Sequence, residues 1–145
     1  MPRPLIFVFK KSLLYIPFFG WGLASVKMIA IDREASKKAL KAVTDQGIDR
    51  LSQGISVVVF PEGTRAAANE LLPFQIGGAF LASKGHAPVV PVAHTAGCVW
   101  PKGSSLKGPG VITVVIGEPI MPGLKAQELN ERVESWIRQQ MPAMN

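Results

Sequence analysis

Apolar positions fall into short runs separated by turn-forming clusters, and the spacing inside each run indicates the element it predicts. Leu5 to Phe9 is continuously apolar and reads as a short buried strand. Val26 to Ile31 alternates enough for a second strand and ends at Asp32-Arg33. Beyond it Ala39, Leu40, Val43, Gly47 and Leu51 recur at helical spacing. Ser56 to Phe60 has the pattern of a strand buried on both faces and stops at Pro61-Glu62-Gly63-Thr64-Arg65. Phe74 to Lys84 has helical character, weakened by Gly77 and Gly78. Val89 to His94 and Val111 to Ile116 predict two further strands, joined by a Gly-, Pro- and Lys-rich loop from Gly97 to Gly110. Gln127 to Gln140 closes the pattern as an amphipathic helix with Leu129, Val133, Trp136 and Ile137 on one side.

Strands alternating with helices predict an α/β fold, a mostly parallel sheet flanked by helices. No repeat, low-complexity tract or linker divides the chain, so residues 1–145 read as a single domain. One segment fits no simple period. Between Leu13 and Gly22, Tyr15, Phe18, Phe19 and Trp21 crowd together directly after the basic pair Lys10-Lys11. Two readings stay open: packing in a core, or an interfacial patch whose aromatics and lysines suit a lipid headgroup region.

Composition narrows the function classes. Hydrophobic residues make up 48% of the chain and charged residues 18%, too apolar for a disordered tail. Sixteen Lys and Arg against ten Asp and Glu leave a net charge of +6, which favours an anionic partner. Residues 1–50 hold nine of those cations and four of the anions, so the basic character sits in the N-terminal third. No recognition helix or stacking motif accompanies the charge, and a nucleic-acid partner is not expected. The longest apolar candidate for a membrane span, Ser12 to Val26, is cut by Pro17, Gly20 and Gly22, and Lys10-Lys11 interrupt any signal-peptide core. A membrane encounter would therefore be peripheral. Cys98 stands alone, which excludes an internal disulfide; with only His86 and His94 beside it, a structural metal site is not expected.

Familiar motifs fail in turn. No glycine opens a Gly-x-x-x-x-Gly-Lys-Ser/Thr loop, the dinucleotide fingerprint breaks at Ser25 and at Thr113, and no serine sits in Gly-x-Ser-x-Gly. What remains is Phe60 to Arg65, placed where a buried strand releases its chain, the edge at which ligands gather in open α/β sheets. Gly63 can take positive φ and let backbone N–H groups approach an anion, Arg65 offers a planar fork for a phosphate, and Glu62 can orient that guanidinium or the loop backbone. Arg33 follows another strand end and, with Lys10 or Lys11, would complete a clamp for a phosphomonoester.

These segments resemble the glycerolipid acyltransferases, specifically those that acylate 1-acyl-glycerol 3-phosphate. Lys10-Lys11-Ser12-Leu13-Leu14 with Ile16 to Trp21 matches the family's approach segment, Ile31-Asp32-Arg33 its second motif, Phe60 to Arg65 its third and Val90-Pro91-Val92 its fourth. The likeness runs in order from about Pro2 to Pro119. It implies that Lys10, Arg33 and Arg65 hold the glycerol phosphate, that Glu62, Gly63 and Thr64 shape the loop, and that Val90, Pro91 and Val92 line the acyl-chain side, although an ordinary edge strand explains that last segment equally well. It further implies lysophosphatidic acid as acceptor, acyl-CoA or acyl carrier protein as co-substrate with no resident cofactor, phosphatidic acid as product, and peripheral attachment at the cytoplasmic face of a membrane.

The family's first motif, a His followed five positions later by an Asp, has no counterpart: Pro91 stands five residues after His86 and Val99 five after His94. In the family that His takes the proton of the acceptor hydroxyl, held in its tautomer by the Asp. The expectation is a member lacking its front elements, with apolar sheet surface exposed, poor phosphate binding and no detectable acyl transfer; the alternative is a non-catalytic lipid-binding remnant. His86 reads as a turn residue and His94 as a strand-end residue. Ala66-Ala67-Ala68 and Gln75-Ile76 stand where the family carries polar or basic groups, which leaves fewer cations around a head group.

Overall fold

The computed structural model describes residues 4–26, 28–32, 36–67, 70–104 and 106–141. They form two compact units, one ending at Phe60 and the other beginning at Pro61.

In the first unit the apolar run after Pro4 becomes strand β1 (Leu5–Lys10), followed by a 3-10 turn (Lys11–Tyr15) and helix α1 (Phe19–Ser25). Strand β2 (Ile29–Ile31), helix α2 (Ser36–Ser52) and strand β3 (Ser56–Val58) complete it. The sheet order is β2-β1-β3 and both pairings are parallel, Lys10 opposite Ile31 and Phe7 opposite Val58. Parallel neighbours need crossover connections, and α2 supplies the one between β2 and β3, packing on both strands. Ile6, Ile29, Val43 and Ile55 are buried. Thr44, buried beside Val43, satisfies its hydroxyl by donating to the Leu40 carbonyl at 2.8 Å.

One feature departs from the sequence pattern. β1 and β3 are not buried on both faces: Leu5 and Phe7, which alternation places opposite Ile6, are exposed, and so is Phe60, whose ring stacks on Phe7 with centroids 6.4 Å apart. The aromatic segment, to which no simple period assigns an element, runs from the 3-10 turn into helix α1. α1 lies so close to the preceding turn that a Cβ on Gly20 would sit 2.0 Å from the Leu14 carbonyl oxygen, and only glycine fits there.

The second unit packs helix α3 (Gly77–Lys84) on helix α5 (Ala126–Gln140), with Ala79, Ala82, Ile120 and Leu129 buried between them and Val89, Leu124 and Val133 at the margin. Strands β4 (Val92–His94) and β5 (Val114–Ile116) pair antiparallel, and backbone bonds between Val89 and Ile120 extend the ladder. The parallel arrangement is thus confined to the first unit. The reason lies in the connection from Thr95 to Thr113: among its described residues the helix is the single turn α4 (Ala96–Val99), too short to carry a crossover along the sheet. The connection folds back instead, with Thr95 N–H donating to the Thr113 carbonyl at 3.1 Å and Thr113 N–H donating to the Thr95 hydroxyl at 2.9 Å.

Gly117 fixes how α5 meets this hairpin. Its missing side chain leaves room for the Trp136 indole against Pro91, and its N–H donates to the Pro91 carbonyl at 2.9 Å.

Candidate functional site

In the first unit, parallel pairing brings the carboxyl ends of β1 and β2 together, the edge where an open α/β sheet collects ligands. A shallow cavity of about 230 Å³ opens there, lined by Lys10, Lys11, Ser12, Tyr15, Ile31 and Asp32. Lys10 is exposed at its rim. The structure puts the basic pair beside the end of the Ile31-Asp32 segment, with Asp32 sharing the cavity wall. Arg33 lies outside the described residues.

Tyr15, Ile16, Phe18, Phe19 and Trp21 are all exposed, outside the core that the first unit's described residues form. Phe18 is held outward by a strained backbone: with φ 63° and ψ −51° it is the central residue of a γ-turn closed by Phe19 N–H donating to the Pro17 carbonyl at 2.7 Å. Such a conformation in a bulky residue costs about 1–3 kcal/mol and persists only where surrounding structure imposes it. Phe18 and Trp21 support each other edge to face, centroids 5.1 Å apart. Among the described residues no helix is long and apolar enough to cross a membrane.

In the second unit the Pro61 to Gln75 loop is closed by two bonds. Gln75 N–H donates to the Pro61 carbonyl at 2.7 Å, and Leu72 N–H donates to the Glu62 carboxylate at 3.2 Å. Glu62 therefore orients loop backbone rather than a guanidinium. Gly63 takes φ +70°, the left-handed conformation its position in the motif calls for. Thr64 and Arg65 are exposed, and Arg65 makes no ion pair among the described residues. Its guanidinium carbon lies 5.6 Å from the centroid of the Trp100 ring, a contact nothing in the order of residues announced. The signal available was a lone tryptophan within a Gly-, Pro- and Lys-rich loop.

The fourth-motif segment is divided. Val90 and Val92 present exposed apolar side chains, whereas Pro91 is buried beside Gly117 and Trp136. Val92 pairs with Ile116 and His94 with Val114, so alternation places Val92, Val114 and Ile116 on one exposed face of the hairpin. His86 occupies the turn after α3 with φ 47°, and His94 ends β4, its Nδ1 accepting from Ala96 N–H at 3.3 Å.

The first unit thus carries a cavity with Lys10 and Lys11 at parallel strand ends, and the second a closed loop presenting Arg65. The chain belongs to the acyltransferase family, whose model matches residues 1–95, a span that holds every motif residue named above. It is 46% identical over 96% of its length to a 1-acyl-sn-glycerol-3-phosphate acyltransferase of Pseudomonas aeruginosa, of which it covers 56%, and 36% identical over 91% of its length to the Saccharomyces cerevisiae enzyme of the same name, of which it covers 45%. The crystal structure of the 1-acyl-sn-glycerophosphate (LPA) acyltransferase PlsC from Thermotoga maritima superposes with a TM-score of 0.77 at 27% identity, over 95% of this chain and 56% of that one. The chain thus spans about half the length of these relatives.

Proposed function

We propose that the protein belongs to an acyltransferase of phospholipid synthesis acting on lysophosphatidic acid. The acceptor hydroxyl oxygen attacks the thioester carbonyl of acyl-CoA or acyl carrier protein, the C–S bond breaks, and the thiol leaves with the hydroxyl proton as phosphatidic acid forms. The observation that carries this reading is Arg65, an exposed guanidinium with no carboxylate partner among the described residues, on a loop fastened by Glu62 and Gln75. Arg65 grips the phosphate by two parallel hydrogen bonds, and Glu62, Gly63 and Thr64 hold the loop that aims it. The family resemblance assigns Lys10 and Arg33 to the head group as well, and the exposed Val90 and Val92 offer apolar surface suited to an acyl chain. The exposed aromatics from Tyr15 to Trp21, next to Lys10 and Lys11, suit a peripheral contact with the anionic cytoplasmic face of a membrane.

The exposed aromatics from Tyr15 to Trp21 beside Lys10 and Lys11 favour a second reading, in which the chain binds the lipid without turning it over. Flotation with vesicles containing phosphatidate, run beside an acyl-transfer assay, separates the two. Acyl transfer that falls at least tenfold in kcat/KM for the acceptor in Arg65→Ala supports the enzyme. Arg65-dependent binding without transfer supports the lipid binder. Binding and transfer both indifferent to Arg65 remove the loop from the site.

A further inference from the structure

Trp100 carries a second cation. The Lys107 ammonium lies 4.5 Å from the indole centroid that also receives Arg65 at 5.6 Å. Two like charges within 6 Å of one ring repel each other, and neither forms an ion pair with a carboxylate among the described residues. An arrangement that gathers positive charge and leaves it unneutralised is stable at low cost only when an anion or solvent offsets the repulsion.

The loop that delivers Lys107 is closed, not slack. Gly108 N–H donates to the Val99 carbonyl at 2.9 Å, directly after Lys107, and the Trp100 indole N–H donates to the Ser104 carbonyl at 2.8 Å. The Ser104 hydroxyl in turn donates to the Leu106 carbonyl at 2.9 Å. The indole is therefore fixed by the same loop whose end presents the lysine, and both cations lie against this one ring. Trp100 and Lys107 lie beyond residues 1–95, outside the segment that the family model matches.

We propose that Lys107 is a second phosphate-binding cation, brought to Arg65 by the Trp100 indole, so that the two side chains grip one phosphomonoester dianion from different loops. The inference rests on the proposed role of Arg65. Arg65 supplies the planar fork and Lys107 a mobile point charge, a division that suits a tetrahedral dianion with more oxygens than one guanidinium can satisfy. The phosphate belongs either to the acceptor head group or to the nucleotide part of a CoA donor, both of which present this group.

The test titrates the ¹⁵N-labelled chain with glycerol 3-phosphate and, separately, with adenosine 3′,5′-bisphosphate, following the Trp100 indole N–H resonance. Lys107→Ala is expected to weaken one of these probes about five- to tenfold, the effect of one lost charge-assisted bond at an exposed site. The probe affected identifies the source of the phosphate. Lys107→Arg is expected to restore binding, and the difference between wild type and Lys107→Ala to shrink in high salt, neither of which a purely structural lysine would produce. If Arg65→Ala loses the probes while Lys107→Ala binds both as the wild type does, the inference falls and the role of Arg65 stands. If the wild-type chain binds neither probe saturably, both are overturned.

Discussion

Replacing Gly117 with alanine tests the packing that fixes Pro91 and, through it, the exposed valines on either side. An alanine Cβ would lie 2.7 Å from Trp136 Cζ2, 2.8 Å from Trp136 Cε2 and 2.9 Å from Pro91 Cγ. Carbon atoms pack at about 3.5–4.0 Å, so the overlap is close to 1 Å, and it falls on two rings that cannot deform. Relief requires the indole to swing off Pro91 or the strand to move away from α5. Overpacking of this kind costs about 1–3 kcal/mol, partly offset by the roughly 0.4–1 kcal/mol that alanine gains over glycine from a less disordered unfolded chain. The expected net loss is about 1–2 kcal/mol, read by far-ultraviolet circular dichroism in urea as a midpoint lowered by about 1 M. Pairing the change with Trp136→Leu removes the ring that causes the clash, and Gly117→Ala should then cost nothing or stabilise slightly. An equal loss in both backgrounds, or no loss with Trp136 intact, would refute the steric argument.

Leu129→Ala empties a buried position between α3 and α5 that the small Ala79 and Ala82 cannot fill, and is expected to lower stability by about 2–5 kcal/mol in the same urea titration. Glu62→Ala removes the acceptor for Leu72 N–H, so exchange of that amide with deuterium should quicken about tenfold, whereas Glu62→Gln, which keeps an acceptor oxygen, should protect it nearly as well as the native residue.

Much of the architecture was legible because it follows from periodicity. The helices from Ser36 and from Ala126 declare themselves by apolar spacing, and each strand among the described residues overlaps a run that the pattern marks. Strand ends were less visible. Val26 belongs to the turn after α1, Val59 and Phe60 leave the sheet beyond Val58, and Val111 to Thr113 precede β5, because apolar character marks what is fit for a sheet while pairing depends on a neighbour in register. The antiparallel hairpin was hidden for a related reason: strand direction depends on how the loop from Gly97 to Gly110 folds, and only its internal hydrogen bonds determine that.

The functional loop shows the same division. Gly63 and Arg65 stand out by residue type, since positive φ and a bidentate fork are properties of single side chains. The partner of Glu62 lies ten residues away, and Trp100 meets Arg65 from a separate loop; contacts of that range leave no local trace. The aromatic segment remained ambiguous because aromatics serve cores and lipid interfaces alike, and residue type does not tell which side chains are exposed.

The brevity of the outer strands has a practical consequence. In the first unit β2 and β3 contribute three residues each to the sheet, so either outer strand offers few backbone groups to template a further strand. Self-association in a purified preparation would then proceed through greasy side chains such as Phe18, Trp21, Val114 and Ile116, a weak and reversible stickiness that mild detergent disperses, in contrast to the ordered fibres that long bare edges seed.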